Sequence, residues 1–162
     1  MQCSRYCRGV RRAFQFILTT LLLAAAFSAA AANGRVVKVL PHLLDLQGRH
    51  SLSPSLYDRD AYQAQLRQNT NLCSGIRFDV LWRGRSATNE VATLRVELRG
   101  TAKGDLPSKT SLETQVRITG TGHWARLKLD GEDYKKFGEV TAWRATLWSG
   151  DQLLGEQKSF LW

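Results

Sequence analysis

Gly75-Ile76-Arg77-Phe78-Asp79-Val80-Leu81-Trp82 decides how this chain is read, because Phe78, Val80 and Trp82 alternate with Arg77 and Asp79. Successive side chains of a strand point to opposite faces, so a period of two places one set on a core and the other in water. The same beat returns at Thr93-Leu94-Arg95-Val96-Glu97-Leu98-Arg99. It returns again where Leu112, Val116 and Ile118 alternate with Glu113, Gln115 and Arg117. Between His123 and Leu129, Ala125, Leu127 and Leu129 oppose Arg126 and Lys128. One wet and one dry face is the habit of antiparallel sheet. Val140 to Trp148 is richer in apolar residues, which predicts a central strand covered on both faces over part of its length. Ser149-Gly150-Asp151 then signals a hairpin turn into a last strand from about Gln152 to Leu161.

Toward the N-terminus, Val36 to Leu40 predicts a first strand that Pro41 stops, with Leu43 to Leu46 as an extension and Gln47-Gly48 as a turn. Asp58 is the expected N-cap of a helix over about 58–68, with Tyr62 and Leu66 inward and Arg59, Gln63 and Arg67 outward. Asp130 to Phe137 predicts one or two helical turns, capped by Asp130, stopped by Gly138 and pinned to the core by Tyr134 and Phe137. Seven strands joined by short turns predict a mostly β fold: an antiparallel seven-stranded immunoglobulin-like β-sandwich over residues 33–162, with one inserted helix and a short helical crossover.

The closing stretch Gly131-Glu132-Asp133-Tyr134-Lys135-Lys136-Phe137-Gly138-Glu139-Val140-Thr141-Ala142-Trp143-Arg144 resembles the last crossover and strand of immunoglobulin and fibronectin type III modules. The stretch Leu52-Ser53-Pro54-Ser55-Leu56-Tyr57-Asp58-Arg59-Asp60-Ala61-Tyr62-Gln63, with the ending Lys158-Ser159-Phe160-Leu161-Trp162, resembles an uncharacterised group of exported bacterial proteins. That likeness spans nearly all of residues 33–162 and implies no activity. The pair of inter-sheet cysteines found in antibody domains is missing.

Residues 1–32 read as an export address. Arg5, Arg8, Arg11 and Arg12 form a basic head, Ala13 to Phe27 is largely apolar, and Ser28 to Ala32 are all small. This is the order of a secretory signal peptide, with cleavage expected just before Asn33. The apolar run is shorter than a spanning helix needs. Val10 before the Arg11-Arg12 pair favours Sec over twin-arginine export. The expected location is the periplasm or the cell exterior, with no membrane span after cleavage.

Removing 32 of the 162 residues leaves 130, one ordinary domain. Four of the 23 basic residues leave with the head, so 19 face 14 acids, a formal charge of +5 instead of +9. No basic run exceeds Lys135-Lys136, which is a solvated surface and not a nucleic-acid interface. Cys73 remains alone, without an intramolecular partner, and reads as a partly buried small apolar residue.

Catalytic signatures are weak throughout. His42, His50 and His123 are the only histidines and do not sit at ligand spacing, so neither a metal nor another cofactor is expected. His50, Ser51, Ser53, Ser55 and Asp58 have hydrolase residue types but no nucleophile elbow, which leaves a small hydrolase as a remote alternative. The expectation is a non-catalytic module that binds an unknown protein partner through an edge strand or the Ser51–Asn69 excursion, with Tyr57, Arg59 and Tyr62 as contacts. The alternative is carbohydrate binding through Trp124 and Trp148, which fall out of phase with the core residues of their strands.

Overall fold

The computed structural model describes residues 32–86, 90–102 and 105–162. The expected signal peptide lies outside the described residues except for Ala32. Seven strands form two antiparallel sheets: β1 (Asn33–Asp45), β2 (Cys73–Arg85), β3 (Val91–Ala102), β4 (Leu106–Arg117), β5 (Gly122–Asp130), β6 (Glu139–Ser149) and β7 (Gln152–Lys158). One sheet has the order β1-β2-β5 and the other β4-β3-β6-β7, so the chain changes sheet after β2, β4 and β5. Helix α1 (Leu56–Gln68) is inserted between β1 and β2, with a single 3₁₀ turn at Thr70–Leu72, and α2 (Gly131–Phe137) carries the chain from β5 to β6.

The alternation that predicts the strands also builds the interior. Phe78, Val80 and Trp82 of β2 meet Leu94, Val96 and Leu98 of β3, and Ala145 and Leu147 of β6 complete the layer. Burying a side chain the size of Phe78 in full contributes about 1.5–3 kcal/mol. The Trp143 ring lies edge-on to Phe78 at 6.4 Å between centroids. Ala145, Thr146 and Leu147 are buried in succession, so β6 is covered on both faces over that part of its length. The outer faces carry the charges, and two cross-strand pairs form there: Arg95–Glu113 and Arg144–Glu97, each at 2.7 Å. Both pairs are half-exposed and contribute only a few tenths to about 1 kcal/mol.

Several sequence expectations need correction. Pro41 does not stop β1, which runs through it to Asp45. β1 is the edge of its sheet, where a residue without an N–H is tolerated. Ser55, not Asp58, caps α1: its hydroxyl accepts the Asp58 N–H at 3.4 Å, and Asp58 sits in the first turn. Asp130 precedes α2 without capping it, because its carboxylate takes the Lys128 ammonium at 2.6 Å. Gly138 does end α2, at φ +83°, and a Cβ there would lie 2.2 Å from the Thr101 carbonyl oxygen. β7 ends at Lys158, three residues before the expected limit.

Candidate binding site

Residues 46–72 form an excursion between β1 and β2, clamped at both ends. Asp45, buried at the end of β1, accepts from the Gln47 and Arg49 N–H groups, from Arg49 Nε at 2.8 Å and from the Tyr62 hydroxyl at 2.8 Å. Burial alone would raise its pKa, but these donors outweigh burial and bring it down to about 2. Tyr62, an expected contact residue, therefore gives its hydroxyl to this clamp.

Gln63 was expected to face water and is instead buried, together with Leu66, which is 1% exposed. Its amide oxygen accepts the Leu43 N–H at 2.8 Å, and its amide nitrogen donates to the Leu43 carbonyl at 2.9 Å and to the His50 carbonyl at 2.8 Å. The side chain thus occupies the place of a neighbouring strand on the free edge of β1. Leu66 is in the expected phase, and Cys73 donates its thiol to the Leu66 carbonyl at 3.4 Å. Burial pushes that thiol up and keeps it protonated.

His42 and His50 meet across the turn with ring centroids 5.2 Å apart. His42 Nε2 lies 3.8 Å from the Asp79 carboxylate, which Arg77 holds at 2.8 Å. Burial lowers the pKa of both imidazoles; Asp79 opposes this, while Arg77 and Arg59 add to it. The serines beyond them serve the backbone. Ser51 Oγ donates to the Ser53 carbonyl, Ser53 Oγ accepts the Ser55 N–H, and Ser55 caps α1.

Among exposed polar residues such as Arg49, Asp58, Asp60 and Arg67, the clamped excursion also offers large apolar side chains to solvent. Leu46, Leu52, Leu56 and Tyr57 are between 62 and 82% exposed. Arg59 is partly covered and pairs with Asp60 at 3.1 Å. The two candidate tryptophans lie on different sheets. Trp124 stands on the outer face of edge strand β5 opposite Leu81, 52% exposed, beside a hollow of about 300 Å³ that includes His123 and Thr119. Trp148 is half-buried on β6, with its indole N–H buried and unpaired. Trp162 lies under the Arg99 and Arg144 guanidinium groups, 4.0 and 5.0 Å from its ring centroid.

One concavity was not legible from the sequence. Where β1 and β6 diverge, a cleft of about 870 Å³ opens between the two sheets. Leu43, Ile76, Val140 and Trp143 give it an apolar floor; Gln63 and Arg67 of α1 and Thr70 and Asn71 wall one side, and Lys135 and Glu139 stand on the other. No His/Cys/Asp/Glu group of three suited to a metal occurs among the described residues. Against protein-family models, curated proteins and solved structures, the chain has no match.

Proposed function

We propose that this chain is an exported, non-catalytic β-sandwich module that holds a protein partner in the periplasm or outside the cell. The observation that carries this reading is the excursion: a segment fixed at Asp45 and Gln63 that turns Leu52, Leu56 and Tyr57 to solvent. Exposed apolar groups on a rigid loop mark interaction surfaces more than they serve a monomer. The engagement of Ser51, Ser53 and Ser55 in turn and cap bonds supports a non-catalytic role. The sheet orders β1-β2-β5 and β4-β3-β6-β7, with three changes of sheet, support an immunoglobulin-like topology in which the fourth strand joins the sheet of the last two. The export reading rests on residues 1–32 of the sequence.

A photo-crosslinking residue at position 57, introduced into the full chain in its parent cell, tests the reading. One discrete protein adduct is expected, lost when Leu52 and Leu56 are replaced by serine and not formed from position 151. No adduct at 57, or the same adducts from both positions, overturns it.

Half-exposed Trp124, in a hollow where Arg117, Thr119 and His123 stand beside Trp82, Val116 and Ala125, favours carbohydrate as a second reading. A glycan array in which the full chain binds and Trp124→Ala does not would support it, and silence of both would end it.

A further inference from the structure

The two walls of the cleft treat their backbones differently. On the β1 side most outward groups are closed: Pro41 has no N–H, Leu43 is bonded at both its N–H and its carbonyl by the Gln63 amide, and the Asp45 N–H donates to the Arg49 carbonyl at 2.9 Å. These are the devices that protect an edge from strand addition. On the β6 side the cover stops early. β6 begins at Glu139, yet its register with β7 ends at Arg144 opposite Lys158. Ser159 extends the cover by one residue, accepting the Trp143 N–H at 3.0 Å and donating its own N–H to the Trp143 carbonyl at 2.9 Å. The tail then leaves: Phe160 is fully exposed and Trp162 turns back onto Arg99 and Arg144. Among the described residues no strand lies beside Glu139–Ala142 on that side, and the apolar floor of the cleft is directly adjacent.

We propose that this gap is a strand-acceptor site: an extended peptide segment of the protein partner lies against Glu139–Ala142, continues the sheet past Ser159, and sets alternate apolar side chains on Leu43, Ile76 and Val140. The inference rests on the protein-binding reading above and names its mode. An extended chain satisfies the open edge and the apolar floor together, because its backbone pairs while every second side chain points inward. A helix or a small amphiphile meets only the floor. Charge adds direction. Arg67 and Glu139 line the cleft from opposite walls, and neither is in an ion pair among the described residues. The guest segment therefore carries a carboxylate toward Arg67 and a base toward Glu139.

Panning a random twelve-residue phage-displayed peptide library on the full chain tests this. Enriched peptides are expected to alternate apolar and polar residues and to include an acid. A synthetic copy should slow amide exchange over 139–142, and the copy N-methylated at every second residue should not bind. Val140→Arg, which fills the cleft, should abolish binding. Arg67→Glu, on the surface and independent of the floor, should weaken it about tenfold. Three results overturn the strand site: enriched peptides that protect 52–57 instead of 139–142, decanoate occupying the cleft while no peptide does, or concentration-dependent dimers that protect 139–142 without peptide. The first leaves the protein-binding reading standing. Loss of the position-57 adduct, by contrast, removes that reading whatever the panning yields.

Discussion

The two halves of the sandwich edge between β1 and the last two strands teach opposite lessons. In the first half β1 and β7 touch: a Cβ on Gly155 would lie 2.7 Å from the Arg35 Cα, and one on Gly34 would lie 2.9 Å from the Leu147 side chain. Glycine removes the side chains so that the sheets close over Leu147 and Leu154. In the second half β7 has ended, the sheets separate, and an 870 Å³ cleft remains under the excursion. One half is sealed by omission of side chains, and the other is held open by a helix that covers only one of its two edges.

Replacement of Leu66 with alanine should have the largest effect. Leu66 is the one fully buried apolar residue of α1, so its loss should cost about 3 kcal/mol. Denaturant unfolding measures this; a cost below about 1 kcal/mol would mean that the helix is not anchored by its apolar face. Next, Gly155→Val attacks the sealed half. Its side chain meets the β1 backbone, and about 2 kcal/mol should be lost, with β7 amides exchanging faster. If β7 protection is unchanged, the two halves do not differ as described.

Charge sharpens the same contrast. The folded pKa of Asp45, about 2, lies below the unfolded value near 3.9, so its stabilisation is present above that unfolded value and lost as pH falls through 2. Wild type should exceed Asp45→Asn by about 2 kcal/mol at neutral pH and converge with it near pH 2. A gap that persists at pH 2 would make the loss steric. Gln63→Leu keeps bulk but leaves the Leu43 N–H and carbonyl without partners, and should cost about 1–2 kcal/mol with rapid exchange of the Leu43 amide. Unchanged exchange would show that the open half does not depend on that amide. The smallest effect is expected at His42. Its folded pKa is lowered from 6.5, so the unfolded chain takes up the proton first and stability declines as pH falls below 6.5. His42→Gln should flatten the slope between pH 7 and 5; an identical slope would place the titrating group elsewhere.

Much of the fold was legible because its determinants are local. Period-two alternation in 75–82 and 93–99, the glycine at 150 and the glycine at 138 each act within a few residues. Errors arose where a residue's role was set by a distant partner. Pro41 reads as a stop until β1 is known to be an edge strand. Gln63 reads as a solvent-facing polar residue until its amide is seen on Leu43, twenty residues away. Asp130 is the local exception: Lys128, only two residues back on the same strand face, takes the carboxylate that would have capped the helix. Of the expected contacts, Tyr57 and Trp124 are exposed, Tyr62 is engaged by Asp45, and Trp148 is half-buried.

By itself the sequence determined the strand count, the inserted helix and the oily interior, since side-chain alternation and backbone freedom are properties of short segments. Only the tertiary structure decided that β7 ends before it can cover all of β6, that one glutamine closes the edge of β1, and that a cleft remains between them. Those outcomes depend on where remote backbone groups come to lie, and no pattern of neighbouring residues encodes a gap.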